Sequence, residues 1–246
     1  EIDEFVKEFT YWGEKNLEEE KNPRYWWRYP GTSSIGAARK LMEGIPWQES
    51  GSDKPTCGSS MRVSPIGLTY PFDFDRLKEY AEQSSIPSHK HRQSIAGAVA
   101  VATAVGLAVR DEFNLGDIKM TVSGYDKEMA DIILKIRINA DYWLEEYFSK
   151  HNSWLARETV PAALYFADKY IDNPEEAIIR AVNNGGDTDS IACITGAIVG
   201  AATDNIEKVP KRWIQGLEDV REIAQLADAL CAISEDEIRV RKRNKN

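Results

Sequence analysis

Ile95-Ala96-Gly97-Ala98-Val99-Ala100-Val101-Ala102-Thr103-Ala104-Val105-Gly106-Leu107-Ala108 decides the fold. The run is nearly all small and apolar, which predicts a central helix with neighbours packed close on every side. A second run of the same character, Ile191-Ala192-Cys193-Ile194-Thr195-Gly196-Ala197-Ile198-Val199-Gly200-Ala201-Ala202, predicts a second buried helix. Small side chains bring helix axes close together, so the loops at the ends of such helices can converge on one site. Outward from these two runs the period stays helical. Ile2, Phe5, Val6, Phe9 and Trp12 repeat at helical spacing over about 1–19. A helix is expected from Thr32 or Ser33, as N-cap, through Met42, with Gly44 as its stop. Others are expected at about 75–83, 126–149, 158–171, 174–183, 189–203 and 217–234. An aromatic loop covers 24–31, a long Gly/Ser/Pro-containing loop covers 45–60, and a weak β-branched patch lies near 118–123. The expectation is one all-α domain, a compact orthogonal multi-helix fold over 1–236, followed by a basic tail at 237–246.

Composition bounds the function. Of the 246 residues 42% are hydrophobic and 29% charged, the balance of a soluble globular domain. A net charge of −9 argues against general binding to nucleic acid or to an anionic membrane, both of which need basic surface. Both apolar runs are shorter than the roughly 20 residues that span a bilayer. Cys57, Cys193 and Cys231 form no CxxC pair, which implies neither zinc nor a disulfide framework and points to a reducing, cytoplasmic compartment. Cys193 and Cys231, in apolar helical contexts, are expected to be buried. The chain opens Glu1-Ile2-Asp3 without a Met, so residues are expected to precede it.

Chemistry concentrates just ahead of the second apolar run, in Asn183-Asn184-Gly185-Gly186-Asp187-Thr188-Asp189-Ser190. Two glycines permit a sharp turn and a close approach to a ligand. Two carboxylates and two hydroxyls then follow within four residues. Crowded hard oxygens suit Mg²⁺ or Ca²⁺ better than Zn²⁺. The alternative is an acidic N-cap in which Asp187 or Asp189 bonds the helix start and nothing is bound. An EF-hand is excluded because Ile191 and Ala192 occupy its later ligand positions, and a P-loop because no Gly-Lys-Ser/Thr occurs. A second candidate is Cys57-Gly58-Ser59-Ser60-Met61-Arg62, whose N–H groups and hydroxyls suit phosphate or ribose oxygens. A third is Ser84 to His91, which holds two of the three histidines, His89 and His91, just before the central helix; a fourth, Asn152 to Tyr165, reads as a helix start and core.

Taken in order, these segments resemble the ADP-ribosylglycohydrolase family, which includes the dinitrogenase-reductase-activating glycohydrolases. The strongest match is Gly185-Gly186-Asp187-Thr188-Asp189-Ser190-Ile191-Ala192, followed by Gly58 to Leu68 and by Ser88-His89. The resemblance implies a binuclear Mg²⁺ centre, with Mn²⁺ as a substitute, and hydrolysis of the glycosidic bond between ADP-ribose and a modified protein side chain or small molecule. It implies that Asp187 and Asp189 are catalytic metal ligands, joined by Ser190. Cys57, Gly58, Ser59, Met61, Arg62, His89, Gly185 and Gly186 would bind the substrate. The family's other metal-binding half is a Thr-Asp-Asp motif ahead of the Trp12 helix. This sequence has no Asp-Asp pair, so the 246 residues alone are expected to be inactive or very weak. Tyr29-Pro30 and Cys57 stand where the family commonly has an acidic residue and an Asn. The competing expectation is a non-catalytic ADP-ribose or nucleotide binder, or a crystallin-like structural relative.

Overall fold

In the computed structural model, residues 2–21, 30–140, 142, 144, 154–203 and 205–244 are described. The helices in chain order are α1 (Ile2–Glu20), α2 (Thr32–Met42), α3 (Trp47–Ser50), α4 (Ser64–Thr69), α5 (Phe74–Ser85), α6 (Arg92–Val109) and α7 (Leu115–Ser123). They continue with α8 (Lys127–Ile138), α9 (Ala156–Lys169), α10 (Pro174–Val182), α11 (Thr188–Ala202), α12 (Lys211–Gln215) and α13 (Val220–Asn244). Short 3₁₀ turns lie at Ser60–Arg62 and Ile206–Lys208. Among the described residues there is no strand, only two isolated bridges, so the fold is all-α.

The first apolar run is the axis of the molecule. Every residue of α6 from Ala96 to Ala108 is buried, and α4, α5, α7, α9 and α11 pack around it. The helix is long and apolar enough to cross a bilayer by length and composition, but it is enclosed by protein. Its small residues are what lets neighbours in: a Cβ on Gly97 would stand 2.6 Å from the Ser60 hydroxyl. The second run, α11, lies against α6 and α9 through buried Ile191, Ile194 and Ile198. Larger side chains then fill the space between elements, among them Leu77, Ile118, Ile133 and Leu164. Truncating any of these to Ala costs about 2–5 kcal/mol.

Local chemistry sets the helix starts. Asp73, Asn114, Asp126 and Asn173 each accept a backbone N–H from three residues on, at 2.8–3.2 Å. Asp126 also takes both ends of Arg157 in a forked ion pair, with Nε 3.0 Å from Oδ1 and Nη2 2.8 Å from Oδ2. That pair ties the start of α8 to the first turn of α9, which borders the site described below.

Four expectations are corrected. The patch at 118–123 is helix α7, because Ile118 and Val122, four residues apart, share the buried face and Asn114 caps the start. The start of α2 is Gly31 with no side-chain cap, so neither Thr32 nor Ser33 plays that part. Cys193 and Cys231 are exposed; only Cys57 is buried. The last helix, expected over 217–234, runs as α13 from Val220 to Asn244, through the basic segment. The aromatic loop at 24–29 and most of 141–153 fall outside the described residues.

Candidate active site

Gly185 and Gly186 both adopt positive φ, +85° and +72°, a pair of left-handed residues that side chains other than glycine rarely tolerate. The turn they make delivers Asp187 to the N-cap position of α11. Its carbonyl accepts from Ile191 N at 3.0 Å, as a cap residue's should, yet its side chain makes no capping bond. The carboxylate reaches across the site, where Oδ2 accepts from the Cys57 thiol at 3.5 Å. The N-cap reading of Asp187 therefore fails on geometry: the position is filled, and the carboxylate is directed elsewhere.

Asp187, Asp189 and Ser190 line a cleft of about 730 Å³. The rest of its lining comes from Trp12 of α1, Pro30 to Ser34 at the start of α2, Lys54, Thr56, Cys57, Gly58, Met61, His89 and Trp154. The 51–57 strip is stitched down on both sides. Ser52 N donates to Ser88 O at 2.9 Å and Lys90 N returns to Ser52 O at 3.1 Å. Further on, Cys57 N donates to Trp154 O at 3.0 Å and Ala156 N to Pro55 O at 2.9 Å. From beneath, the Ser94 hydroxyl at the start of α6 donates to Thr56 O at 2.7 Å. The close packing of α6, α9 and α11 thus gathers segments more than a hundred residues apart around one opening.

The electrostatics are those of an acidic pair. Burial raises the Asp187 carboxyl to about 6, and neighbouring Asp189 adds to the rise, while the Ser190 hydroxyl opposes it. Burial, then the Asp187 charge, pushes the Cys57 thiol up to about 11, so it stays a protonated donor. His89, 2% exposed, is held down to about 3 by burial and by the charge of Arg62, and is neutral. Ser190 donates to the Met61 sulfur at 3.3 Å, joining the acidic turn to the 57–62 loop.

Of the residues expected at the site, the structure brings Asp187, Asp189, Ser190, Cys57, Gly58, Met61 and His89 together. It does not place Ser59, Arg62, Gly185 or Gly186 in the lining. Ser59 is buried, bonded to Ser94 O and Ser85. Arg62 leaves the 3₁₀ turn toward α1 and α5. Its guanidinium lies 5.5 and 5.4 Å from the Phe5 and Phe9 ring centres and donates to Ser84 O and Ser88 at 2.7 Å. The two glycines shape the turn. Sequence reasoning missed Trp12, Lys54, Thr56 and Trp154 as lining residues; they carry no local motif and meet only through the tertiary fold.

The donor set suits a divalent cation. Two carboxylates and a hydroxyl, all hard oxygens within one helical turn, face a shared space where two like charges adjoin. They cover one side of an ion that takes six or more ligands. Among the described residues, no group of three or more His, Cys, Asp or Glu side chains converges into a complete metal cage.

Comparison with known proteins agrees with this architecture. The chain is 41% identical over 206 residues to an uncharacterised protein of Archaeoglobus fulgidus, covering 81% of this chain and 66% of that one. It is 28% identical over 207 residues to ADP-ribosylhydrolase ARH3 of Gallus gallus, covering 70% of this chain and 56% of that one. The chain therefore spans less than two thirds of the length of these relatives. A solved structure described as an ADP-ribosylglycohydrolase-related protein complex superposes with a TM-score of 0.65 over 93% of this chain and 81% of its own, at 23% identity, a likeness of fold. The ADP-ribosylglycohydrolase family model matches residues 1–239, nearly the whole length, and the acidic turn and the 57–61 loop that meet in the cleft lie inside that match; the chain belongs to the ADP-ribosylglycohydrolase family.

Proposed function

We propose that the cleft binds ADP-ribose and that the full-length protein hydrolyses its glycosidic bond to a modified acceptor in a Mg²⁺-dependent reaction, with Mn²⁺ as a substitute. One observation carries the reading: the Asp187 carboxylate occupies an N-cap position without capping and joins Asp189 and Ser190 in lining a cleft that Cys57, Gly58, Met61 and His89 also line. Family membership supplies the reaction class.

Asp187, Asp189 and Ser190 would hold the metal. When bound, divalent ions supply positive charge that orders ribose hydroxyls and offsets a pyrophosphate. The chain's own contribution is shape and hydrogen bonding. Gly58 lets a ligand approach the backbone, Lys54 brings the one cation among the described lining residues, and Trp12 and Trp154 offer flat apolar faces. In the hydrolysis, water replaces the acceptor at the anomeric carbon and the acceptor leaves with a proton. The acceptor is tested by presenting ADP-ribosylated arginine, serine and acetyl-ester substrates and measuring free ADP-ribose. Release from one class and not the others names it; binding of ADP-ribose with no release from any would favour the competing reading of a non-catalytic binder. The incomplete ligand cage among the described residues is the observation behind that second reading.

A further inference from the structure

Arg62, Ser88 and His89 form a chain of hydrogen bonds that runs from the buried interior to the cleft. Arg62 Nη2 donates to the Ser88 hydroxyl at 2.7 Å, and that hydroxyl lies 2.7 Å from Nδ1 of His89. A guanidinium only donates. The Ser88 oxygen therefore accepts from Arg62 and has a single proton left to place. One destination is the Ser85 carbonyl, 3.4 Å away, which already accepts the backbone N–H groups of Ser88 and His89 at 3.1 and 2.8 Å. The other is Nδ1, much closer. The Arg62 charge points the same way: it favours a ring lone pair over an N–H on the side facing the cation, and it polarises the hydroxyl into a stronger donor.

We propose that Arg62 and Ser88 are positioning residues that hold His89 as its Nε2–H tautomer, so that the ring offers the cleft a neutral N–H donor. The far edge of the ring is kept clear by Gly58, where a Cβ would stand 2.6 Å from Nε2. Arg62 is fixed for this role by Phe5 and Phe9 on one side and by the Ser84 carbonyl on another. The arrangement denies His89 the part of a general base, since its lone pair is turned inward. The ligand group it reads is an acceptor oxygen; that this oxygen belongs to ADP-ribose rests on the function proposed above.

The test is ¹⁵N NMR of histidine-labelled protein without ligand. Between about pH 5 and 8, His89 is expected to show a protonated Nε2 and an unprotonated Nδ1, and a folded Ser88→Ala variant to show a mixture of tautomers. A protonated Nδ1 in the unsubstituted protein overturns the proposal without recourse to any variant, as does an unchanged tautomer in Ser88→Ala. The donor role has its own readout in ADP-ribose binding. His89→Gln places an amide N–H where Nε2 was and is expected to keep the affinity within about threefold, while His89→Leu loses about tenfold, the scale of one hydrogen bond. Equal affinity in the Leu variant overturns the donor role. If the tautomer is as stated and the unsubstituted protein binds no ADP-ribose, the positioning chain stands and the proposed function falls.

Discussion

The Cys57 thiol lies 3.5 Å from Oδ2 of Asp187, closing the gap between two segments 130 positions apart in sequence. The contact fixes where the carboxylate points. An Asp at an N-cap ordinarily turns back to its own helix, and here the cap bond is forgone. What the residue loses as a helix start it gains as a group directed into the cleft.

Asp187→Ala is therefore expected to abolish ADP-ribose release by the full-length protein while changing unfolding free energy by less than about 1 kcal/mol, because no cap bond is lost. Urea unfolding monitored by circular dichroism, beside an activity assay, measures both. A loss of several kcal/mol would return Asp187 to a structural role.

The three thiols should label in a definite order. Cys57 is 4% exposed and its thiol is pushed up to about 11, so the reactive thiolate is scarce at neutral pH. Cys193 is exposed as a residue, but its sulfur turns in against the Met61 carbonyl at 3.6 Å, and desolvation there, with Asp189, raises it too. Iodoacetamide at neutral pH, read by peptide mass spectrometry, should modify Cys231 first and Cys57 last. Early modification of Cys57 would contradict its placement.

His89 links stability to pH. Its ordinary value of 6.5 is lowered to about 3 in the folded protein, so the unfolded chain binds its proton first as pH falls. The stability tied to the neutral ring is complete above about 6.5 and is lost on descent toward 3, by up to about 1.4 kcal/mol per pH unit. Between pH 7 and 5 the unsubstituted protein should lose about 1–2 kcal/mol more than His89→Gln. Parallel losses would show that the ring titrates in the folded state.

Asp126→Ala removes a helix cap and one of the two carboxylates that pair with the Arg157 guanidinium, Glu128 remaining as the other. A cost of about 1–2 kcal/mol, the scale of a lost cap with part of a half-exposed ion pair, is expected by chemical denaturation. Asp126→Asn keeps the cap and should cost less. Equal costs would assign the whole effect to the ion pair.

The scaffold was legible wherever the signal was local. Runs of Ala, Val and Gly with no charge can be satisfied only by burial, and both became central helices. The turn Gly185-Gly186 before Asp187 announced itself by backbone need, and the positive φ values follow. Where β-branched residues suggested strand at 118–123, the Asn114 cap three residues before Asp117 was the stronger signal. Arg62 shows a different limit. Its neighbour Met61 lines the cleft, but a 3₁₀ turn sends consecutive side chains in different directions, and the sequence does not say which one faces the ligand. Lys54 and Trp154 reach the site through loops that flank α6 and α9, and Trp12 through α1 packed on α2 and α5, properties of the assembled fold.

The central claim is that the oxygens of Asp187, Asp189 and Ser190 serve a divalent cation in ADP-ribose hydrolysis. Its most direct test is release of ADP-ribose from modified substrate by the full-length protein before EDTA, after EDTA, and after Mg²⁺ or Mn²⁺ is restored. The account predicts release that is lost with the chelator and recovered with the metal, with no recovery in Asp187→Ala; undiminished release in EDTA would contradict it.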